Sequence, residues 1–208
     1  MLRQNRLAQY HLKDTPMLEL DPKTTALVLV DLQNGIVNLT LAPRSGAEVV
    51  AAAQPVLARF REAGSQVIWV RVGWRADFAD YPPGKVDRPF PRPEGGMPAG
   101  WSELVEGLQQ AGEHCVQKRN WGAFHGTELE VLLRRSGVRT VVLCGIATTL
   151  GVESSARQAW ELGYDVVVLE DVCSSLLPEL HQQSIQHVLP RIARVVVSAD
   201  LHFQAEQG

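Results

Sequence analysis

Residues 140–159 read TVVLCGIATTLGVESSARQA, and this stretch decides the fold prediction. It begins with an apolar run, Val141-Val142-Leu143, that favours a buried strand. The chain then turns at Gly145-Ile146-Ala147 and takes a helical pattern from about Gly151. A strand, a tight turn and a helix start form a common ligand site in open α/β sheets, because the first helix amides are unpaired and partly positive. On this stretch alone, an ordinary βα connection without chemistry is the alternative interpretation.

Five further runs are typical of strands, and helical patterns separate most of them. The six predicted strands span residues 25–30, 67–72, 114–118, 140–144, 165–169 and 193–197. The predicted helices span residues 45–61, with Ser45 as N-cap, and 101–110, 126–136, 151–162 and 178–189. Alternating strands and helices favour parallel pairing through right-handed crossovers. We therefore predict an α/β, three-layer Rossmann-like fold with a central six-stranded, mainly parallel sheet flanked by helices.

The length of 208 residues is typical of one domain. We expect an N-terminal arm at residues 1–24, a single domain at 25–200 and a C-terminal tail at 201–208. The arm is polar and can lie on a neighbouring subunit or be disordered. Residues 73–100 are rich in proline and glycine, which predicts a long surface loop that can act as a lid.

Composition excludes several classes of protein. With a net charge of −3 and no basic block, nucleic-acid binding is not expected. The three cysteines contain no CxxC pair, which argues against a disulfide framework or a thiolate zinc site and is typical of a cytoplasmic protein. No signal-peptide core or long apolar run is present, so neither secretion nor a membrane partner is expected.

Charged residues stand where two predicted strands end. Asp31 follows the first strand, and Lys118 ends another. A carboxylate at this edge has a raised pKa when it is buried, unless a cation balances it. Lys118 is that cation, so the two residues form a candidate acid/base pair. A structural ion pair at the sheet edge is the alternative.

Three ordered motifs resemble the isochorismatase-like hydrolases, also called the cysteine hydrolase superfamily, which includes nicotinamidases and N-carbamoylsarcosine amidohydrolase. The motifs are ALVLVDLQNGI at 26–36, KRNWGAFHGTELEVLL at 118–133 and VVLCGIATTLGVESSARQAWELGYDVVVLEDVCSS at 141–175. The resemblance covers most of the chain and is greatest to a bacterial branch that also reads GVES at the helix start. It implies an α/β hydrolase of small molecules that forms a homo-oligomer.

The resemblance also implies catalytic residues, with one departure. The family's aspartate and lysine correspond to Asp31 and Lys118. The family's nucleophilic cysteine corresponds to Gly151, which has no nucleophilic side chain. Cys144 and Cys173 are the alternatives for a relocated thiol.

Isochorismatases proper also lack this cysteine, and they cleave a vinyl ether without a covalent intermediate. We therefore expect a thiol-independent hydrolase of a small carboxylated substrate. Asp31 is its general acid/base and Lys118 its cationic partner. Two alternatives stay open: a catalytically silent member that binds a small anionic ligand, and an amidase that uses a relocated thiol.

Secondary site residues complete the expectation. Ile146-Ala147 matches the family's non-proline cis peptide, and Gly151 lies at the adjacent helix start. The candidate substrate-binding residues are Gln33, Trp74, Trp121, Phe124, Ile146, Ala147 and Thr148, with plain packing or exposure as the alternative for the aromatic residues and Gln33. The segment at 72–78, where nicotinamidases of this family hold a metal, has no histidine, so we expect no metal and no cofactor.

Overall fold

A central sheet of six parallel strands organises the computed structural model, which describes residues 17–204. The described residues form eight strands: β1 (Leu18–Leu20), β2 (Thr25–Val30), β3 (Gln66–Val72), β4 (His114–Lys118), β5 (Thr140–Ile146), β6 (Asp165–Ser174), β7 (Arg194–Val196) and β8 (Leu201–Phe203). Six of them, β2 to β7, form the central sheet in the order β4-β3-β2-β5-β6-β7. The predicted α/β class and the six-stranded sheet are confirmed, and every pairing in this sheet is parallel.

Helices flank this sheet. They are α1 (Asn34–Val37), α2 (Gly46–Glu62), α3 (Leu129–Arg135), α4 (Glu153–Glu161) and α5 (Pro178–Gln183). A single π-helical turn, Thr148–Val152, precedes α4, and a second one, Ser184–Val188, follows α5. Among the described residues, no helix is long and apolar enough to cross a membrane.

Burial on both faces explains the apolar runs of the central strands. Every residue of β2 and of β5 is buried. A strand covered on both faces has no solvent side, so its sequence is continuously apolar rather than alternating. This is why β2 and β5 were the clearest strands in the sequence.

The longest helix begins where the sequence predicted. Ser45 accepts a hydrogen bond from the backbone amide of Glu48, and the Glu48 carboxylate accepts one from the Ser45 amide. This reciprocal arrangement satisfies two amides that the first helical turn leaves unpaired. The buried face of α2 then packs on the sheet through Val49, Val56 and Phe60.

The predicted helix at residues 101–110 is wrong. The segment is irregular, and Gly107 has a positive φ of 79°. Its backbone bonds instead to the segment after β2, through the Val105 amide to Leu32 O and a bridge between Leu104 and Gln33. Tertiary hydrogen bonds have replaced the local helical ones, which a helical periodicity in the sequence does not reveal.

The predicted boundaries at both termini also differ from the structure. Leu18–Leu20 and Leu201–Phe203 pair in parallel as a separate two-stranded sheet, so part of the expected arm and part of the expected tail belong to the folded domain. The remaining parts of both, residues 1–16 and 205–208, lie outside the described residues.

The strand order places a topological switch point between β2 and β5. The chain continues from β2 to β3 on one side and from β5 to β6 on the other. In open parallel sheets the crevice at the carboxyl ends of two such strands is the usual ligand site. Asp31 follows β2 and Ala147 follows β5, so both lie at this crevice.

Candidate active site

A buried ion pair joins two strand ends across a third. Lys118 Nζ lies 2.8 Å from Asp31 Oδ2, and the two side chains are 2% and 7% exposed. β3 separates β2 from β4, so the side chains of Lys118 and Asp31 together bridge two strand spacings, or about 10 Å. The ammonium group also donates to Asn120 O at 3.1 Å and Trp121 O at 2.9 Å. Its three hydrogens therefore all have acceptors.

Asp31 combines a rare backbone conformation with a raised carboxyl pKa. Its backbone φ is +54°, a left-handed conformation that aspartate tolerates better than most side chains. Burial raises the pKa of Asp31, and this effect exceeds the opposing effects of the charge and hydrogen bond of Lys118. Its Oδ1 is buried and has no hydrogen-bond partner among the described residues. The carboxyl group can therefore hold a proton at a higher pH than a free aspartate does.

Gly151 lies directly beside this carboxyl group. A Cβ atom built on Gly151 would be 3.2 Å from Asp31 Oδ2 and 2.9 Å from Val30 Cγ1. A side chain at this position would therefore point at Asp31, as the family's cysteine is expected to do. Gly151 leaves the carboxyl group facing the cavity with no thiol between them.

Ser155 connects two of the loops that form the site. Its hydroxyl donates to Gly151 O at 2.6 Å and accepts a hydrogen bond from the Ala123 amide at 3.0 Å. One fully buried side chain thus ties the turn at Gly151 to the loop that follows Lys118. Sequence reasoning missed this role, because serine at the start of a helix is common and carries no specific signal.

A cavity of about 170 Å³ opens onto the ion pair. Aromatic and aliphatic side chains dominate its walls. The lining residues are Asp31, Ile36, Leu39, Val72, Trp74, Tyr81, Phe90, Trp101, Lys118, Trp121, Ile146, Ala147, Leu150, Gly151 and Leu176. Of the predicted site residues, the structure brings together Asp31, Lys118, Gly151, Trp74, Trp121, Ile146 and Ala147. The Ile146–Ala147 peptide is cis, as the resemblance implied.

Three predicted substrate-binding residues lie elsewhere. Gln33 is fully buried and bonds both backbone groups of Val72, so it joins β2 to β3. Phe124 packs on Tyr164 with ring centroids 5.9 Å apart, away from the cavity. Thr148 is fully buried under the turn and donates to Ser174 O at 3.0 Å. All three support the site from behind rather than line it.

Behind Thr148, a chain of polar side chains leads away from the cavity. Thr148 Oγ1 lies 2.8 Å from His181 Nδ1, and His181 Nε2 lies 2.9 Å from Glu170 Oε1. Arg44 donates to both Glu170 carboxylate oxygens, at 3.0 and 3.1 Å. Sequence reasoning missed this network, because its members are separated by more than 120 positions at the extreme.

The cysteines do not replace the family's nucleophile. Among the described residues that line the cavity there is no cysteine. Cys144 and Cys173 are fully buried within β5 and β6. Burial raises the pKa of Cys173 to about 12 and also raises that of Cys144, which disfavours the reactive thiolate. The relocated-thiol alternative is therefore not supported.

The segment at residues 73–101 contributes three aromatic lining residues that the sequence analysis did not name. Tyr81, Phe90 and Trp101 line the cavity together with Trp74. Aromatic residues in a proline-rich loop were the available signal.

Within residues 17–204, no group of three or more histidine, cysteine, aspartate or glutamate side chains could hold a metal ion.

Comparison with known proteins places this geometry in a family. The family model described as Isochorismatase domain matches residues 25–200. The chain is 49% identical over 180 residues to the isochorismatase family protein YecD of Escherichia coli O157:H7, covering 86% of this chain and 95% of that protein. It is 36% identical to the ureidoacrylate amidohydrolase RutB of Agrobacterium fabrum, covering 80% of this chain and 83% of that protein.

Among solved structures, an isochorismatase family protein from Burkholderia thailandensis superposes with a TM-score of 0.84 at 39% identity. The match covers 89% of this chain and 96% of that one. The family model matches most of the chain, and the relatives match over most of their own length. The shared fold agrees with both findings. The chain belongs to the isochorismatase-like hydrolase family.

Proposed function

We propose that this protein hydrolyses a small enol ether by acid–base catalysis, without a sulfur nucleophile. The observation that carries the proposal is the buried Asp31–Lys118 pair, 2.8 Å apart, next to a glycine where the family's thiol is expected. Burial raises the pKa of Asp31 and so favours the protonated carboxyl group, which is what protonation of a carbon–carbon double bond requires.

The reaction can be written with this chain's own residues. Protonated Asp31 gives its proton to the terminal carbon of the enol ether, and an oxocarbenium ion forms. Water adds to the cationic carbon and gives a proton back to the Asp31 carboxylate. The resulting hemiacetal or hemiketal collapses to a carbonyl compound and an alcohol. Lys118 holds the carboxyl group in place and balances the negative charge that Asp31 carries between donating its proton and taking one back.

The carboxylated substrate expected from the sequence is not part of this proposal. Among the described residues that line the cavity, Lys118 is the only cation that could bind a substrate carboxylate. The three ammonium hydrogens already have acceptors on Asp31, Asn120 and Trp121. No hydrogen on Lys118 is left for a substrate anion.

Turnover of phenyl vinyl ether by the purified protein tests the proposal. We expect release of phenol and acetaldehyde, unaffected by iodoacetamide. Asp31→Asn should lower kcat/KM by about 10²–10⁴-fold, since it removes the proton donor. Asparagine also tolerates the left-handed backbone at this position, so the variant should fold. A circular dichroism spectrum checks that.

The pH dependence gives an independent readout. Burial raises the pKa of Asp31, and the step needs the protonated acid, so kcat/KM should fall as the pH rises through that pKa. If phenyl vinyl ether is not turned over, or if the folded Asp31→Asn variant keeps the full rate, the proposal is wrong. The first result, with a ligand still bound, would instead favour a catalytically silent binding protein.

A further inference from the structure

We propose that the cavity selects an uncharged substrate with one flat, ring-sized apolar group, which stacks on the aromatic wall formed by Trp74, Tyr81, Phe90 and Trp101. This rests on the proposed function in placing the reacting bond at Asp31. It concerns binding, however, so it can be tested without turnover.

The aromatic wall is a connected cluster. The Trp74 ring lies 5.1 Å from Tyr81, 5.3 Å from Phe90 and 5.8 Å from Trp101, measured between centroids. Trp74 Nε1 donates to Arg119 O at 2.9 Å, which fixes the central ring. Tilted rings at these distances stabilise one another and offer their remaining faces to a planar ligand. All four rings line the cavity that ends at Asp31.

The charges at the cavity exclude an anion. Among the described residues, Asp31 and Lys118 are the only charged ones that line it, and the three ammonium hydrogens of Lys118 already have protein acceptors. Neither Arg119 nor Arg92 lines the cavity: Arg119 bonds Asp80 at 2.7 Å, and Arg92 stacks on the Tyr81 ring at 5.4 Å. A carboxylate entering this apolar space would lose its hydration without gaining a cation, which is strongly unfavourable.

The cavity volume limits the size of the substrate. At about 170 Å³ it slightly exceeds the roughly 150 Å³ that accommodates a benzene ring in a protein interior. One six-membered ring with a short substituent therefore fits inside the cavity.

Benzamide and benzoate form a matched pair of probes, because they share shape and differ in charge. We expect isothermal titration calorimetry at pH 7.5 to show benzamide binding at least ~10-fold more tightly than benzoate. In Asp31→Asn, Lys118 loses its counter-ion, so the preference should move toward benzoate. Phe90→Leu removes one ring of the wall and should weaken benzamide binding several-fold.

Phe78→Leu is the control for Phe90→Leu. Phe78 touches the same cluster, 6.3 Å from Trp74, but does not line the cavity, so its replacement should leave benzamide binding unchanged. Benzoate binding as tightly as benzamide, or benzamide failing to bind at about 10 mM, would overturn the inference.

The two proposals fail separately. Preferential benzamide binding without turnover of any enol ether would refute the reaction and keep the substrate class. Asp31-dependent turnover with equal binding of both probes would keep the reaction and refute the substrate class.

Discussion

Gly151 lies where a side chain would point directly at the carboxyl group of Asp31. A Cβ atom here would approach Asp31 Oδ2 to 3.2 Å, so the position itself points at the acid. The wild-type chain places only a hydrogen there, and the carboxyl group of Asp31 borders the cavity directly. A single substitution can therefore test the geometry of the whole site.

Gly151→Cys should place a thiol in the cavity beside Asp31. We expect iodoacetamide to alkylate residue 151, because the cavity reaches this position, whereas Cys144 and Cys173 are fully buried. Peptide mass spectrometry after a short treatment of the folded protein measures the label. Crowding against Val30, at 2.9 Å from the new Cβ, should cost about 1–3 kcal/mol of stability.

Gly151→Ala is the matched control, since it introduces the same crowding without sulfur. It should show a similar loss of stability and no label at residue 151. A cysteine at 151 that resists alkylation in the folded protein would contradict the placement of this position on the cavity wall.

At the scale of elements, the turn Thr148–Val152 depends on contacts with distant strands and helices. Thr148 reaches His181 on α5, and His181 reaches Glu170 on β6. Burial by itself raises the pKa of Glu170, but hydrogen bonds and charges from His181 and Arg44 together hold it below its usual value. The Glu170 carboxylate therefore stabilises the fold in its charged form.

Glu170→Gln should lower the free energy of unfolding by about 1.5–3 kcal/mol at pH 7, the range for hydrogen bonds to charged groups. Because the folded-state pKa is lowered, this stabilisation is present above the unfolded pKa of about 4.3 and is lost as the pH falls through the folded value. The difference between wild type and variant should therefore shrink in acid. Urea unfolding at several pH values measures it.

Glu179→Gln removes a charge from the exposed start of α5 and serves as the control. It should change stability by less than about 0.5 kcal/mol at any pH. A Glu170→Gln effect that stays constant from neutral to strongly acidic pH would show that the carboxylate charge is not what stabilises this network.

In the whole molecule, the two strands nearest the ends of the described chain pair with each other and pack against the core. β1 and β8 pair in parallel, with Leu18, Leu20 and Leu201 buried. Phe203 packs edge to face on Phe60 of α2 at 4.9 Å. The small sheet therefore belongs to the core rather than to flexible terminal extensions.

Leu201→Ala should lower the free energy of unfolding by about 2–5 kcal/mol, because Leu201 is 1% exposed and its loss leaves a void. His202→Ala, on the exposed face of the same strand, should cost less than about 0.5 kcal/mol. Thermal or urea unfolding of both variants measures the difference. Equal and small effects at the two positions would mean that this strand does not contribute to the core.

Much of the architecture could be predicted because it is encoded locally. The runs that form β2 and β5 are apolar at every position, and Ser45 with Glu48 marks the start of α2. The predicted helix at 101–110 failed because that backbone bonds to residues after β2 instead of to itself. A local sequence pattern cannot show that hydrogen bonds to distant residues will replace the hydrogen bonds of a helix.

The sequence alone was enough to predict the α/β sheet, the polar residues at its strand ends and the isochorismatase-like family. These follow from short-range periodicity and from residue types at fixed spacing. The tertiary structure was needed to show that all three ammonium hydrogens of Lys118 have protein acceptors. It was also needed to show that Gln33, Phe124 and Thr148 support the cavity without lining it. The same holds for the aromatic wall, which residues of a proline-rich loop form. Each of these depends on contacts between residues far apart in the chain, whose meeting is set by how the strands and helices pack.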